Sequence, residues 1–132
     1  LDKHGLPFDP ALVMPGDFDR AVAQRSVTQL LARGVTFDAI FTGDDEAAVG
    51  ALQALQEGGR RVPEEISLVG FDDQRLAVVL NPPLTTVHAP TDAVGRVAAQ
   101  QLINLVRTGQ AEALTLLPTE LVIRRSCGCK DP

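Results

Sequence analysis

The chain has 132 residues and a mass of 14.1 kDa, enough for one compact domain or part of a larger one but short of two. Apolar residues make up 45% and charged residues 22%, which excludes a disordered tail and a coiled coil. Twelve basic residues stand against 17 acidic ones, a net charge of −5, and only Arg60-Arg61 and Arg124-Arg125 are adjacent basic pairs; without a positive stripe to release counterions from phosphates, the chain is not expected to touch DNA itself.

The opening Leu1-Asp2-Lys3-His4-Gly5 has no initiator Met and reads as the end of a helix closed by Gly5, so the chain is expected to be a fragment. Residues 11–14 (Ala-Leu-Val-Met) form an apolar run before Pro15-Gly16 and are expected to be a strand. From Phe18 to Arg33, apolar residues at Ala23, Val27, Leu30 and Leu31 predict an amphipathic helix ending at Gly34. Residues 38–42 read as a second buried strand. Ala48, Ala51, Leu52 and Leu55 predict a helix stopping at Gly58-Gly59, and residues 66–71 a further strand. After the rigid turn Asn81-Pro82-Pro83 come a strand over 84–88, a helix with Thr91 as N-cap and Val94, Ala98, Leu102 and Leu105 on one face, its stop at Gly109, and a strand over 120–124. No run approaches the ~20 apolar residues of a spanning helix, and no signal peptide opens the chain, so the protein is expected to be soluble.

Strands alternating with helices predict an α/β fold, a mostly parallel sheet flanked by helices and wound from right-handed crossovers. Ligands of such sheets sit beyond the carboxyl ends of the strands. The residues there are Gly16-Asp17-Phe18, Gly43-Asp44-Asp45-Glu46, Asp72-Asp73-Gln74 and His88-Ala89-Pro90, three of the four stations being acidic.

The phosphate-cradling loops, the zinc-protease helix and the hydrolase elbow are missing from the sequence, and neither His4 nor His88 has a nucleophile beside it, so no enzyme is expected. Asp44-Asp45 with Asp72-Asp73 could hold Mg²⁺ as in a phosphoacceptor receiver, but that chemistry also needs a lysine after a late strand, and the lysines are Lys3 and Lys130. No metal or cofactor is expected. A polar small-molecule site fits better: carboxylates accept from neighbouring hydroxyls, and an aromatic such as Phe18 covers the apolar face of a sugar or purine. The plainer alternatives are a core Phe18, an N-capping Asp44 and a turn-forming Asp72. Cys127 and Cys129, one residue apart, would close a strained ring if bridged and are too few for structural zinc; they are expected to be free thiols in a tail over 127–132.

Four segments in register, Phe37 to Leu52 (Phe-Asp-Ala-Ile-Phe-Thr-Gly-Asp-Asp-Glu-Ala-Ala-Val-Gly-Ala-Leu), Arg61 to Asp73 (Arg-Val-Pro-Glu-Glu-Ile-Ser-Leu-Val-Gly-Phe-Asp-Asp), Pro82 to Val87 and Leu117 to Ser126, resemble the effector-binding domain of lac-repressor-like (LacI/GalR) transcription regulators. The resemblance implies two α/β lobes like those of periplasmic sugar-binding proteins, with residues 1–126 as the C-terminal lobe and half the ligand cleft elsewhere. It implies a sugar or similar polar effector bound by Phe18, Asp44, Asp72 and Ala89. Asp44 stands where the family usually has Asn, one step before Asp45, and Ala89 where several members place a Gln. It further implies a homodimer through Val49, Leu76 and Leu80, control of DNA through a domain not in this chain, no membrane partner and a cytoplasmic location. The ending Arg-Arg-Ser-Cys-Gly-Cys is similar to sensor modules joined to histidine kinases or diguanylate cyclases, which leaves such a sensor, or a solute-binding transport protein, as the alternative.

Overall fold

The computed structural model describes residues 2–129. Its centre is a four-stranded sheet in the order β1 (Ala39–Phe41), β2 (Ser67–Phe71), β3 (Thr85–His88), β4 (Glu120–Val122). The first three strands are parallel, with Phe41 opposite Val69 and Phe71 opposite Val87, and β4 runs antiparallel to β3 with Glu120 opposite His88. The expected α/β class and mostly parallel sheet are therefore present.

Helix α2 packs on the sheet and α1 packs on α2, both through periodic apolar faces. In α1 (Arg20–Ala32) the N-cap Asp19 accepts from Val22 N at 2.9 Å, and Ala23, Ser26, Val27 and Leu30 are buried at helical spacing. Helix α2 (Asp45–Glu57) is buried on more than one side: Ala48, Ala51, Leu52 and Leu55 face a core shared with Val27, Ile66, Leu68, Ala77 and Leu84. Where α1 crosses α2, Gly50 is required, because a Cβ there would overlap the Arg20 carbonyl. The short helix α3 (Leu76–Val79) follows β2 and buries Ala77.

Three expectations are corrected. Residues 11–14 are not a strand: Asp9 Oδ1 accepts from Ala11 N at 2.9 Å and Pro10 starts a 3-10 turn over Pro10–Leu12, so the run is diverted before it can pair with β1. Thr91 is not the N-cap of α4 (Thr91–Thr108) but its first residue; Pro90 precedes it without a side-chain cap, and Thr91 N donates to Ala89 O at 2.8 Å. The helix itself exists and ends at Gly109 with φ 71, a left-handed stop suited to glycine. Its apolar face, however, buries no residue among those described, leaving Val94 51%, Leu102 61% and Leu105 48% exposed. The opening residues Asp2–His4 make a 3-10 turn rather than an α-helical end, closed as expected at Gly5.

Candidate effector site at the strand carboxyl ends

The parallel register carries the loops after β1, β2 and β3 to one end of the sheet. Thr42 N donates to Val69 O at 3.0 Å, and Asp72 N donates to Val87 O at 2.8 Å, so each loop starts beside its neighbour. The Gly16-Asp17-Phe18 turn joins them from the side. Asp17 and Phe18 both take positive φ, 50° and 53°, a backbone that costs non-glycine residues energy and is held here by Asp19 N donating to Gly16 O at 2.9 Å. Phe18 is 74% exposed, with its ring against Gly43; a Cβ on Gly43 would stand 3.3 Å from Phe18 Cε1. Phe18 is thus not a core residue but an aromatic held out at the rim.

Asp44 is buried and caps α2, its Oδ1 accepting from Ala47 N at 2.8 Å. Asp72 is half-buried at φ 99°, and its carboxylate has no hydrogen-bond partner among the described residues. Ala89 follows His88 at the end of β3 and offers only a methyl group to the rim. Phe18 therefore lies against Gly43, the residue before Asp44, while Asp72 and Ala89 follow the next two strands in sheet order. These four do not line one enclosed cavity. An apolar cavity of about 380 Å³ includes Phe18, Met14, Ile40 and Phe41 and opens where residues 11–14 fail to pair with β1, but none of Asp44, Asp72 or Ala89 lines it.

Two further carboxylates support the rim and escaped the sequence reading as supports. Asp45, fully buried, accepts from Thr86 Oγ1 at 2.6 Å and from Gln74 N at 2.7 Å, and it fits only because Gly70 has no Cβ. Burial pushes its carboxyl above the usual range against those two hydrogen bonds, and the charges of Asp72 and Asp73 push in the same direction as burial. Asp73, at φ 55°, accepts from Arg124 at 2.6 Å and lies 3.2 Å from His88 Nδ1. Arg124 also donates to Leu84 O at 2.8 Å, so the arginine joins the turn after β2 to the end of β4. The Asp-Asp doublets were the available signal: Asp44 caps α2, Asp45 and Asp73 are bound across elements, and Asp72 is left open.

On the expected interface, Val49 and Leu76 are half-buried at the surface of α2 and α3. Leu80 packs partly against the core, and the exposed apolar side chains of its segment are Val78 at 60% and Val79 at 80%. Cys127 is half-buried and Cys129 exposed, both as free thiols, and the packed structure runs past 126, since Ser67 Oγ donates to Cys127 O at 2.9 Å.

The fold and this strand-end rim define a ligand-binding α/β lobe, and a periplasmic binding protein-like domain matches residues 1–127. The chain belongs to that family, and its relatives are regulators of the LacI type. It is 37% identical to the HTH-type transcriptional regulator CelR of Thermobifida fusca over 92% of this chain and 36% of the relative, and 37% identical to the ribose operon repressor of Escherichia coli over 89% of this chain and 36% of the relative. The solved CelR–cellobiose complex superposes with a TM-score of 0.90 at 36% identity, covering 96% of this chain and 39% of that one. A LacI-family regulator from Sanguibacter keddieii gives 0.89 at 36% identity over 98% and 49% of the two chains. The chain spans about a third of the length of the curated relatives it matches. Among the described residues no helix is long and apolar enough to cross a membrane.

Proposed function

We propose that this chain is part of the effector-binding domain of a transcription regulator and contributes Phe18, Asp44, Asp72 and Ala89 to a cleft that takes a sugar. The observation that carries this is the pairing, on one rim, of an aromatic held outward in a strained backbone with a carboxylate left without a partner. A sugar presents an apolar ring face and several hydroxyl donors, which suit Phe18 and Asp72 respectively. The superposed CelR chain is described as a cellobiose complex, which supports a saccharide over a nucleobase. Asp44 has an acceptor engaged as a cap and Ala89 has no polar group, so this half of the cleft favours a ligand rich in donors.

In this account DNA is bound by a domain outside the chain, the working unit is a cytoplasmic homodimer paired around Val49, Leu76 and Leu80, and ligand binding changes the spacing of the two DNA-binding domains. No metal, cofactor or catalytic step takes part. A kinase or cyclase sensor, or a solute-binding transport protein, would use the same rim with a different output. The test is operator binding by the complete polypeptide, measured by fluorescence anisotropy with and without each member of a panel containing cellobiose, ribose and other mono- and disaccharides. The proposal expects one sugar to shift operator affinity and Asp72→Ala to abolish the shift; a protein that binds a sugar but no operator overturns the regulator in favour of the sensor or transport alternatives.

A further inference from the structure

Between α1 and the outer edge of β1 lies the cavity of about 380 Å³, walled by Leu12, Met14, Val27, Leu30, Phe37 and Ile40. A void of about 150 Å³ with such a lining is enough for a benzene ring, so this one has room for an aryl or short alkyl group. Among the described residues Asp17 is the one ionisable group on the lining, and it is exposed in the turn before Phe18. The two hydroxyls on the lining are already spent inside the fold: Ser26 Oγ donates to Pro15 O at 2.6 Å, and Thr42 Oγ1 donates to Asp44 O at 2.8 Å. A polar guest finds no side-chain donor here, whereas an apolar one gains by leaving water.

The cavity and the effector rim share a wall. Phe18 and Gly43 line the cavity just beyond the carboxyl end of β1, and Phe18, 74% exposed, is also the aromatic of the rim. Its ring lies against Gly43, where a Cβ would stand 3.3 Å from Cε1, so the ring divides the open rim from the apolar space. A sugar stacked on Phe18 thus has an apolar recess just past the edge of the ring. The chain does not fill that recess itself: residues 11–14 border it, but the 3-10 turn held by Asp9 leaves Leu12 44% and Val13 61% exposed.

We propose that this cavity is an aglycone subsite: the sugar of the effector lies on the rim, and an aryl or alkyl group on its glycosidic oxygen fills the cavity. The subsite rests on the reading of the rim as a sugar site and narrows it to a class of ligand, glycosides with an uncharged apolar aglycone, which bind more tightly than the bare sugar. Continuity through Phe18 and Gly43 places the substituent, and the spent hydroxyls and apolar walls select its chemistry. Anionic substituents are disfavoured, because they would lose hydration against those walls and meet Asp17 at the turn.

The test is calorimetric titration of the complete polypeptide with the methyl and phenyl β-glycosides of glucose, galactose and ribose. In parallel, NMR of methyl-labelled methionines follows Met14, the single Met of this chain, whose signal is identified by its loss in Met14→Gln. For the sugar that binds, the phenyl glycoside should bind about tenfold or more tighter than the methyl one and should alone move the Met14 signal through its ring current. Met14→Gln, and separately Leu12→Asn at the 44% exposed position, make the outer wall polar at nearly constant size. Each should cut the phenyl preference while leaving the affinity for the methyl glycoside intact, which also shows that the variant is folded. Equal affinities within a pair, with both lost in Asp72→Ala, overturn the subsite and leave the sugar reading standing. So does a phenyl preference that survives in both wall variants, or a Met14 signal moved alike by both glycosides, which means that residues 11–14 close over the cavity themselves. Binding by no member of the panel overturns the sugar reading and the subsite together.

Discussion

Asp45 and Thr86, 41 residues apart, meet at 2.6 Å in the interior, and the same carboxylate accepts the Gln74 amide at 2.7 Å. One buried acid thus joins the start of α2, the strand β3 and the left-handed turn that presents Asp72. The joint stands under the rim rather than on it, and it determines where the rim's open carboxylate points.

The Asp45 joint has a pH signature. Its folded-state carboxyl lies above the unfolded value of 3.8, so between those two values the folded state binds more protons than the unfolded one. The stability contributed by this ionisation is therefore greatest below pH 3.8 and is lost as pH rises through the folded value. Asp45→Asn removes that slope and leaves the Gln74 N–H or the Thr86 hydroxyl without an acceptor, at a cost of about 1–3 kcal/mol. Urea unfolding should show the variant less stable than the unmutated protein near pH 4, with the gap narrowing toward pH 7; a gap that widens with pH contradicts the buried, proton-retaining carboxyl.

Phe18 separates ligand binding from stability. Its side chain is 74% exposed, and its φ of 53° is one that glycine adopts without cost. Phe18→Gly should therefore leave the unfolding free energy unchanged or raise it by up to about 1 kcal/mol, the scale of left-handed strain, less the entropy that glycine adds to the unfolded chain. Thermal unfolding checks this, and a marked fall in melting temperature would mean that the ring is a packing residue after all.

Much of this arrangement was legible in the sequence, and the remainder had physical reasons for being hidden. Ala23, Val27 and Leu30 of α1 and Ala48, Leu52 and Leu55 of α2 are buried as their spacing predicts, α1 against α2 and α2 against both α1 and the sheet. Residues 11–14 have the composition of a strand, but a strand needs a partner, and the local bond from Ala11 to Asp9 takes the chain elsewhere. The apolar stripe of α4 was equally clear, yet periodicity says which face is apolar and not what covers it. Asp45 was the hardest to see: an acid in the first turn of a helix suits the helix dipole, and only the tertiary neighbours Gly70 and Thr86 turn it into a buried joint. Asp72 and Phe18 stood out because they follow strand ends, where the fold class places ligands.

Pairing of two copies should depend on the apolar surface of α2 and α3. In a two-fold interface each copy presents the same patch, so an introduced charge near the axis meets its own like. Val49→Glu, and Val79→Glu at the 80% exposed position of α3, should both shift sedimentation toward monomer, while Asp72→Ala should not. A protein already monomeric at tens of micromolar, or a Val49→Glu variant as dimeric as the unmutated protein, places the interface elsewhere.

The most direct measurement is calorimetric titration of the complete polypeptide with the sugar that shifts operator affinity, repeated for Asp72→Asn and Phe18→Gly. Asp72→Asn exchanges one ionised acceptor for an amide donor, and Phe18→Gly removes the ring without disturbing the turn. Each should weaken binding by about thirtyfold or more, the equivalent of about 2 kcal/mol, while the melting temperature without ligand stays close to that of the unmutated protein. Unchanged affinity in both variants would contradict the assignment of the strand-end rim as the effector site.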